Sequence, residues 1–135
     1  MIRKTALLSL QEGIYKRLST DSAINAKGVK VLDNVPKIKP YPYIEIGEDT
    51  VNDWSTKLDY GEEITHTLHI WSQQGGKKEV KEIMNLILQS LSQPLSLDDG
   101  FSIEFSKLDF MEVYNDPDKI TRHGVIRFRF KISQE

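Results

Sequence analysis

The run Gly124–Ile132, GVIRFRFKI, alternates without a break: Ile126, Phe128, Phe130 and Ile132 fall on one side, Arg127, Arg129 and Lys131 on the other. A period of two marks a strand whose faces meet different surroundings, because successive side chains of extended backbone point in opposite directions. One face must be covered by the rest of the chain, while the basic face meets water or a partner. The chain therefore ends in a sheet, and the residues before this strand must supply its cover.

Two amphipathic segments fit that task. Within Thr5–Ser19, Leu7, Leu10, Ile14 and Leu18 recur at spacings of three and four, which places them on one helical stripe. A second helix is predicted over Lys77–Leu91, where Val80, Ile83, Met84, Ile87, Leu88 and Leu91 form a broader stripe. Gly76 is its expected N-cap, Glu79 lies near its positive end, and Pro94 marks its stop. Asp21 and Ser22 can open a further short turn, and Val29–Leu32 is brief and β-prone.

Pro40 and Pro42 keep their segment out of a central strand, after which Tyr43–Gly47 is predicted as a strand. Glu63–Trp71 sets Ile64, His66, Leu68 and Ile70 against Thr65, Thr67, His69 and Trp71, the pattern of a long central antiparallel strand. Leu95–Leu97 is expected as a short strand, and Phe101, Ile103 and Phe105 resume the alternation, with β-prone character from Leu108 to Tyr114. NDPDK supplies a turn into the final strand. The expected fold is α+β, two layers, with a mainly antiparallel four- to five-stranded sheet and two helices packed on one face. At 135 residues, a single domain over 1–135 is expected.

Between the first two firm strands, Glu48–Gly61 is expected as a long polar loop, well beyond the usual two to five residues of a hairpin. Such loops on small scaffolds often serve contacts or become ordered when a partner arrives. Trp54 in its middle has two readings: an aromatic anchor at an interface, or a lid folded back on the core of its own chain.

The chain is 28% charged, and its apolar stretches fall far short of the ~20 residues that span a bilayer. No membrane partner is expected. Gln11 and Glu12 interrupt what would have to be a continuous apolar signal segment, so cytoplasmic synthesis without export is expected. The absence of cysteine excludes disulfides, thiolate nucleophiles and Cys-based metal sites.

Net charge is −2, but it is unevenly spread. Glu45, Glu48, Asp49, Asp53, Asp59, Glu62 and Glu63 cluster against Lys57 alone, whereas Lys119, Arg122, Arg127, Arg129 and Lys131 form a basic stretch free of acids. Such polarity suits contacts between copies or with unlike neighbours, and equally suits ordinary solvated faces.

Catalytic chemistry finds little support. His66 and His69 point to opposite faces of a strand and cannot chelate together, and His123 has no motif partner. Glu48, Asp49 and Asp53 lack the ligand spacing of an EF-hand, and Gly75–Gly76 lacks the surrounding residues of a phosphate cradle. Ser72, His69 and the nearby acids show no nucleophile elbow. No catalytic residue, metal or cofactor is assigned. Specific nucleic-acid binding is not expected either, because Phe128 and Phe130 point away from the basic face, whereas base-stacking strands put aromatics and cations on one face.

The segments PYPYIEIGEDTVNDWSTK, HTLHIWS and DPDKITRHGVIRFRF, taken in order, resemble the tail completion, or tail-to-head joining, proteins of long-tailed bacteriophages and prophages, Bacillus siphophages among them. The resemblance covers almost the whole chain, and Gly47, Glu48, Asp49, Trp54, Trp71, Arg122, His123 and Gly124 are the matching positions. Lys119 stands where a glycine is frequent, which makes that turn less permissive.

The resemblance implies a structural virion protein and no enzyme. Such proteins form a ring, commonly hexameric, at the head-proximal end of the tail and mediate tail-to-head joining. A homohexamer in the virion, a monomer in solution, and contacts with the tail tube protein and the head-closing connector are implied. By that analogy the interface candidates are Glu48, Asp49, Asp53, Trp54 and Lys57 in the loop, and Arg127, Arg129 and Lys131 on the basic face. The alternative is a non-catalytic phage adaptor module that contacts DNA or the head connector.

Overall fold

The computed structural model describes residues 1–135. Its elements run α1 (Leu7–Ser19), α2 (Ser22–Ala26), β1 (Lys30–Leu32), β2 (Tyr43–Asp53), β3 (Gly61–Ser72), α3 (Lys78–Leu91), β4 (Phe101–Asn115) and β5 (Arg122–Gln134). They form one five-stranded sheet in the order β1-β2-β3-β5-β4, with β1 parallel to β2 and every other pair antiparallel. The helices lie against one face, so the expected two-layer α+β architecture holds. No helix is long and apolar enough to cross a membrane.

The alternation seen in the sequence is what sorts the faces. Ile64, Leu68 and Ile70 of β3 and Ile126, Phe128, Phe130 and Ile132 of β5 are buried beneath the helices. Leu10, Ile14 and Leu18 of α1 and Val80, Ile83, Met84, Ile87 and Leu91 of α3 complete the same cluster. Each such side chain contributes about 1.5–3 kcal/mol on burial, far more than any exposed ion pair, so this layer contact is what makes the fold stable.

Buried polar groups tie the ends of the helices to the sheet. Glu62, 3% exposed, accepts the Ala6 amide at 2.8 Å, where its negative charge meets the positive end of α1. Tyr60 Oη donates to the other Glu62 oxygen at 2.7 Å, which raises the tyrosine pKa. At the opposite end of the helical layer, Arg17 of α1 donates to the carbonyl of Ser90 in the last turn of α3 and to those of Gln93 and Pro94 just beyond it. Asp21 caps α2 through the Ala23 and Ile24 amides.

Three expectations are corrected. β2 does not stop at Gly47 but runs to Asp53, so the first half of the predicted loop is strand and the connection is confined to residues 54–60. Its register against β3 shifts between Ile46 and Asp49, a bulge that lets a polar segment stay paired. Leu95–Leu97 forms no strand; Leu95 and Leu97 instead pack on the core from the segment that leads to β4. The N-cap of α3 is Lys77, and Gly76 precedes it at φ +78, a left-handed turn position.

Candidate functional site

The face of the sheet turned away from the helices carries most of the polar and aromatic motif residues, in three groups set along the strands. The first lies where β3 ends and β5 begins. The register pairs Trp71 with His123 and His69 with Val125, placing His69, Trp71 and His123 on this face. The Trp71 and His123 rings stack at 3.8 Å between centroids with 12° between planes, and Tyr114 of β4 closes on His123 at 4.7 Å. Trp71 Nε1 donates to Glu45 at 2.9 Å.

His69 links this stack to the bulge of β2. Its Nε2 lies 2.9 Å from a Glu48 oxygen and its Nδ1 lies 2.8 Å from His123 Nε2. A carboxylate accepts only, so His69 donates through Nε2 to Glu48, and one proton is shared between His69 Nδ1 and His123 Nε2. The result is a hydrogen-bonded chain, His123–His69–Glu48, that runs across three strands. Burial, reinforced by His69, lowers the His123 pKa to about 4.

Gly47 makes the arrangement possible: a Cβ there would sit 2.7 Å from His69 Cδ2 and 2.8 Å from the Thr67 carbonyl oxygen. Asp49, beyond the bulge, turns to the helix-facing side and pairs with the buried His66 at 2.5 Å. The adjacent acids Glu48 and Asp49 thus serve opposite faces.

The second group is a charge ladder. Arg129 bridges Glu63 of β3 at 2.9 Å and Asp109 of β4 at 3.1 Å, and Arg127 reaches Asp109 at 2.7 Å. Hydrogen bonds from both guanidinium groups hold the Asp109 carboxyl below the usual range. The basic stripe predicted from β5 is therefore largely neutralised by its neighbouring strands.

The third group is the 54–60 connection. Trp54 is 39% exposed; its amide donates to the Gly61 carbonyl at 2.8 Å, and Lys131 Nζ lies 5.5 Å from its ring centroid. Gly61 is required here, since a Cβ would lie 2.5 Å from the Trp54 carbonyl oxygen. Asp53 accepts the Ser55 amide and Thr56 Oγ1 accepts those of Leu58 and Asp59, so the connection carries its own hydrogen bonds. Lys57 is exposed within this connection.

Of the remaining motif residues, Arg122 donates to the carbonyls of Lys119 and Ile120 and so braces the β4–β5 turn. Gly124 lies under α3, where a Cβ would meet Val80 Cγ1 at 2.6 Å. Both specify the fold. His69, absent from the sequence candidates, proves to be the hub of the outer face. No group of three or more His, Cys, Asp or Glu side chains is placed to hold a metal ion.

Residues 12–133 match the family model for tail completion protein gp17. Tail completion protein gp17 of Bacillus phage SPP1 is 31% identical over 135 residues, covering 98% of each chain. A solved structure of bacteriophage SPP1 gp17 superposes with a TM-score of 0.64 at 29% identity, over 94% of this chain and 91% of that one. A chain from the virion of a native gene transfer agent particle shares the fold, with a TM-score of 0.84 at 19% identity over 97% and 99% of the two chains.

Fold, outer face and relatives define a structural protein of the tailed-phage virion, without enzymatic activity. The chain belongs to the tail completion protein gp17 family. Its role is tail completion and the joining of tail to head, and its place is the tail at the head–tail interface.

Proposed function

We propose that copies of this chain close into a ring, hexameric in the virion, on the head-proximal end of the tail, with the chain acting as one domain over residues 1–135. The protein is a monomer until it meets the tail, touches the tail tube protein on one side and receives the head-closing connector on the other. It engages neither a membrane nor a specific nucleic-acid sequence. The observation that carries this reading is the end-to-end match to the SPP1 protein, 98% of each chain.

Trp54, with Asp53 and Lys57 beside it, is the proposed anchor for one of those partners. It leans on Gly61 and Lys131 yet keeps 39% of its surface exposed, which leaves its ring open to a partner. An aromatic held in place before contact loses little freedom on binding, which favours its use as an anchor. Glu48, Arg127, Arg129 and Lys131 line the same sheet face and form the polar surround. Asp49 is withdrawn from this surface by His66 and acts through the shape of the bulge.

The test is complementation of tails made without the protein. Trp54→Ala is expected to fold normally and to lower the yield of joined particles, whereas wild-type yield from a folded Trp54→Ala protein would remove Trp54 from the contact.

A further inference from the structure

Two stretches of the sheet have no strand on one side. β1 pairs with β2 only through Tyr43, Ile44 and Glu45, so from there to Asp53 the outer edge of β2 is left without a neighbouring strand. β4 forms the opposite edge over its whole length, Phe101–Asn115. An open edge presents a row of backbone N–H and C=O groups that another strand can pair. β4 restricts where this can happen, because register shifts at Ile103/Phe105 and Leu108/Phe110 leave Phe105–Leu108 as a regular stretch between two bulges.

The two stretches match in height, direction and charge. Thr50 pairs with Thr65, Thr65 with Arg129, and Arg129 with Lys107, so the free part of β2 and the regular part of β4 lie level on the sheet, with these side chains on the helix-free face. Three antiparallel pairings separate β2 from β4, so the two strands run in opposite directions. Lys107 is exposed and is the one charged residue of Phe105–Leu108. It has no salt bridge, because Asp109 beside it is taken by Arg127 and Arg129. Glu48–Asp53 holds three acids and no cation. Asp49 is held by His66, but the Glu48 side chain, on the same face as Lys107, stays 69% exposed beyond its bond to His69.

Three strand spacings, about 14 Å, keep β2 and β4 of one copy apart. The complementary edges can meet only between copies. We infer that Glu48–Asp53 of one copy pairs antiparallel with Phe105–Leu108 of the next, with Lys107 beside Glu48. Copies related by rotation about an axis along the strands keep the opposite sense of β2 and β4, so the sheet continues from one copy to the next. The contact joins two different edges and therefore repeats head to tail, which closes into a ring when the rotation permits. It rests on the ring reading above and names the surfaces that reading leaves unspecified. Backbone hydrogen bonds hold the contact, and the Lys107–Glu48 pair sets its register.

The absence of cysteine makes the pairing directly readable. A disulfide needs Cα atoms within about 7 Å, so cysteines introduced on β2 and β4 cannot bridge within one chain. Lys107 reaches Glu48 in two registers: one sets Thr50 opposite Lys107, the other sets Glu48 opposite Lys107 and Thr50 opposite Phe105. Thr50→Cys/Lys107→Cys and Thr50→Cys/Phe105→Cys proteins are each added to tails made without the protein, oxidised, and run beside wild-type protein scored for end rings by electron microscopy. One of the two is expected to give a ladder of covalent oligomers that ends at the ring, and the single variants no ladder. Rings from both double variants without a ladder from either overturn the edge pairing and leave the ring reading standing; no rings from wild-type protein overturn the ring reading and the pairing with it.

Hydrogen exchange of the wild-type protein supplies a readout that needs no substitution. In ringed tails, backbone amides of 48–53 and 105–108 are expected to exchange about tenfold more slowly, or slower still, than in the free protein, because the open edges become paired. Exchange that stays unchanged at both stretches in ringed tails contradicts the pairing.

Discussion

His123 Nε2 and His69 Nδ1 share a hydrogen bond of 2.8 Å, joining the start of β5 to the last third of β3. Glu48 on the next strand accepts the remaining His69 N–H, so one relay of hydrogen bonds spans three strands on the face without helices.

Burial of His123 makes stability depend on pH. His123 has a pKa of about 4 in the fold against 6.5 unperturbed, so between these values the unfolded chain takes up a proton that the folded one refuses. The stabilisation is complete above the unperturbed value and disappears as the pH falls towards the folded one. Denaturant unfolding is expected to show a loss of about 2 kcal/mol from this group between roughly pH 7 and pH 5. In His123→Phe that part of the slope is expected to vanish, while the acid loss from Asp109, whose pKa is lowered by Arg127 and Arg129, remains at lower pH. An unchanged slope in the variant would contradict the burial of a neutral His123.

Gly124→Ala is expected to cost about 1–3 kcal/mol, because the new methyl would lie 2.6 Å from Val80 Cγ1 and push α3 off the sheet. Thermal unfolding measures this. A second substitution, Val80→Ala, removes the clashing methyl and should recover part of the loss.

Lys119 sits at φ +63, in the left-handed region that disfavours a side chain. Lys119→Gly is expected to stabilise the protein by about 0.5–1 kcal/mol, less than the full strain because glycine loses more backbone freedom on folding. The gain should appear as a higher denaturation midpoint without change in the transition's slope.

Loss of an interface anchor typically costs about 2 kcal/mol or more, roughly thirtyfold in affinity. Trp54→Ala is expected to weaken capture by its partner on that scale while the circular dichroism spectrum and unfolding midpoint stay near those of the wild type. A comparable fall in stability would mean that the indole serves as a lid on its own sheet.

The parts legible in the sequence were those that alternate cleanly. β3, β5 and the stripes of α1 and α3 announce their buried faces residue by residue. The second half of β2 did not, because Glu48–Asp53 is polar and the bulge at Gly47 and Glu48 switches the faces of the residues after it, sending Asp49 inward to His66. β4 is blurred in the same way by register shifts at Ile103/Phe105 and Leu108/Phe110.

Cross-strand chemistry was harder still. His69 and Trp71 share a face by simple alternation, but that His123 joins them depends on a register that no local pattern encodes. The basic stripe of Arg127 and Arg129 was visible, whereas its neutralisation by Asp109 and Glu63 depends on which strands flank β5. Of the family-motif positions, Gly47, Trp71 and His123 converge on the helix-free face around His69.

The most direct test is to add the purified protein to tails made without it, from the matching phage, and to follow them by electron microscopy before and after addition of DNA-filled heads. A ring of density on the head-proximal end, followed by joining to heads, is the predicted result. Tails that remain bare and unjoined in the presence of correctly folded protein would contradict the account.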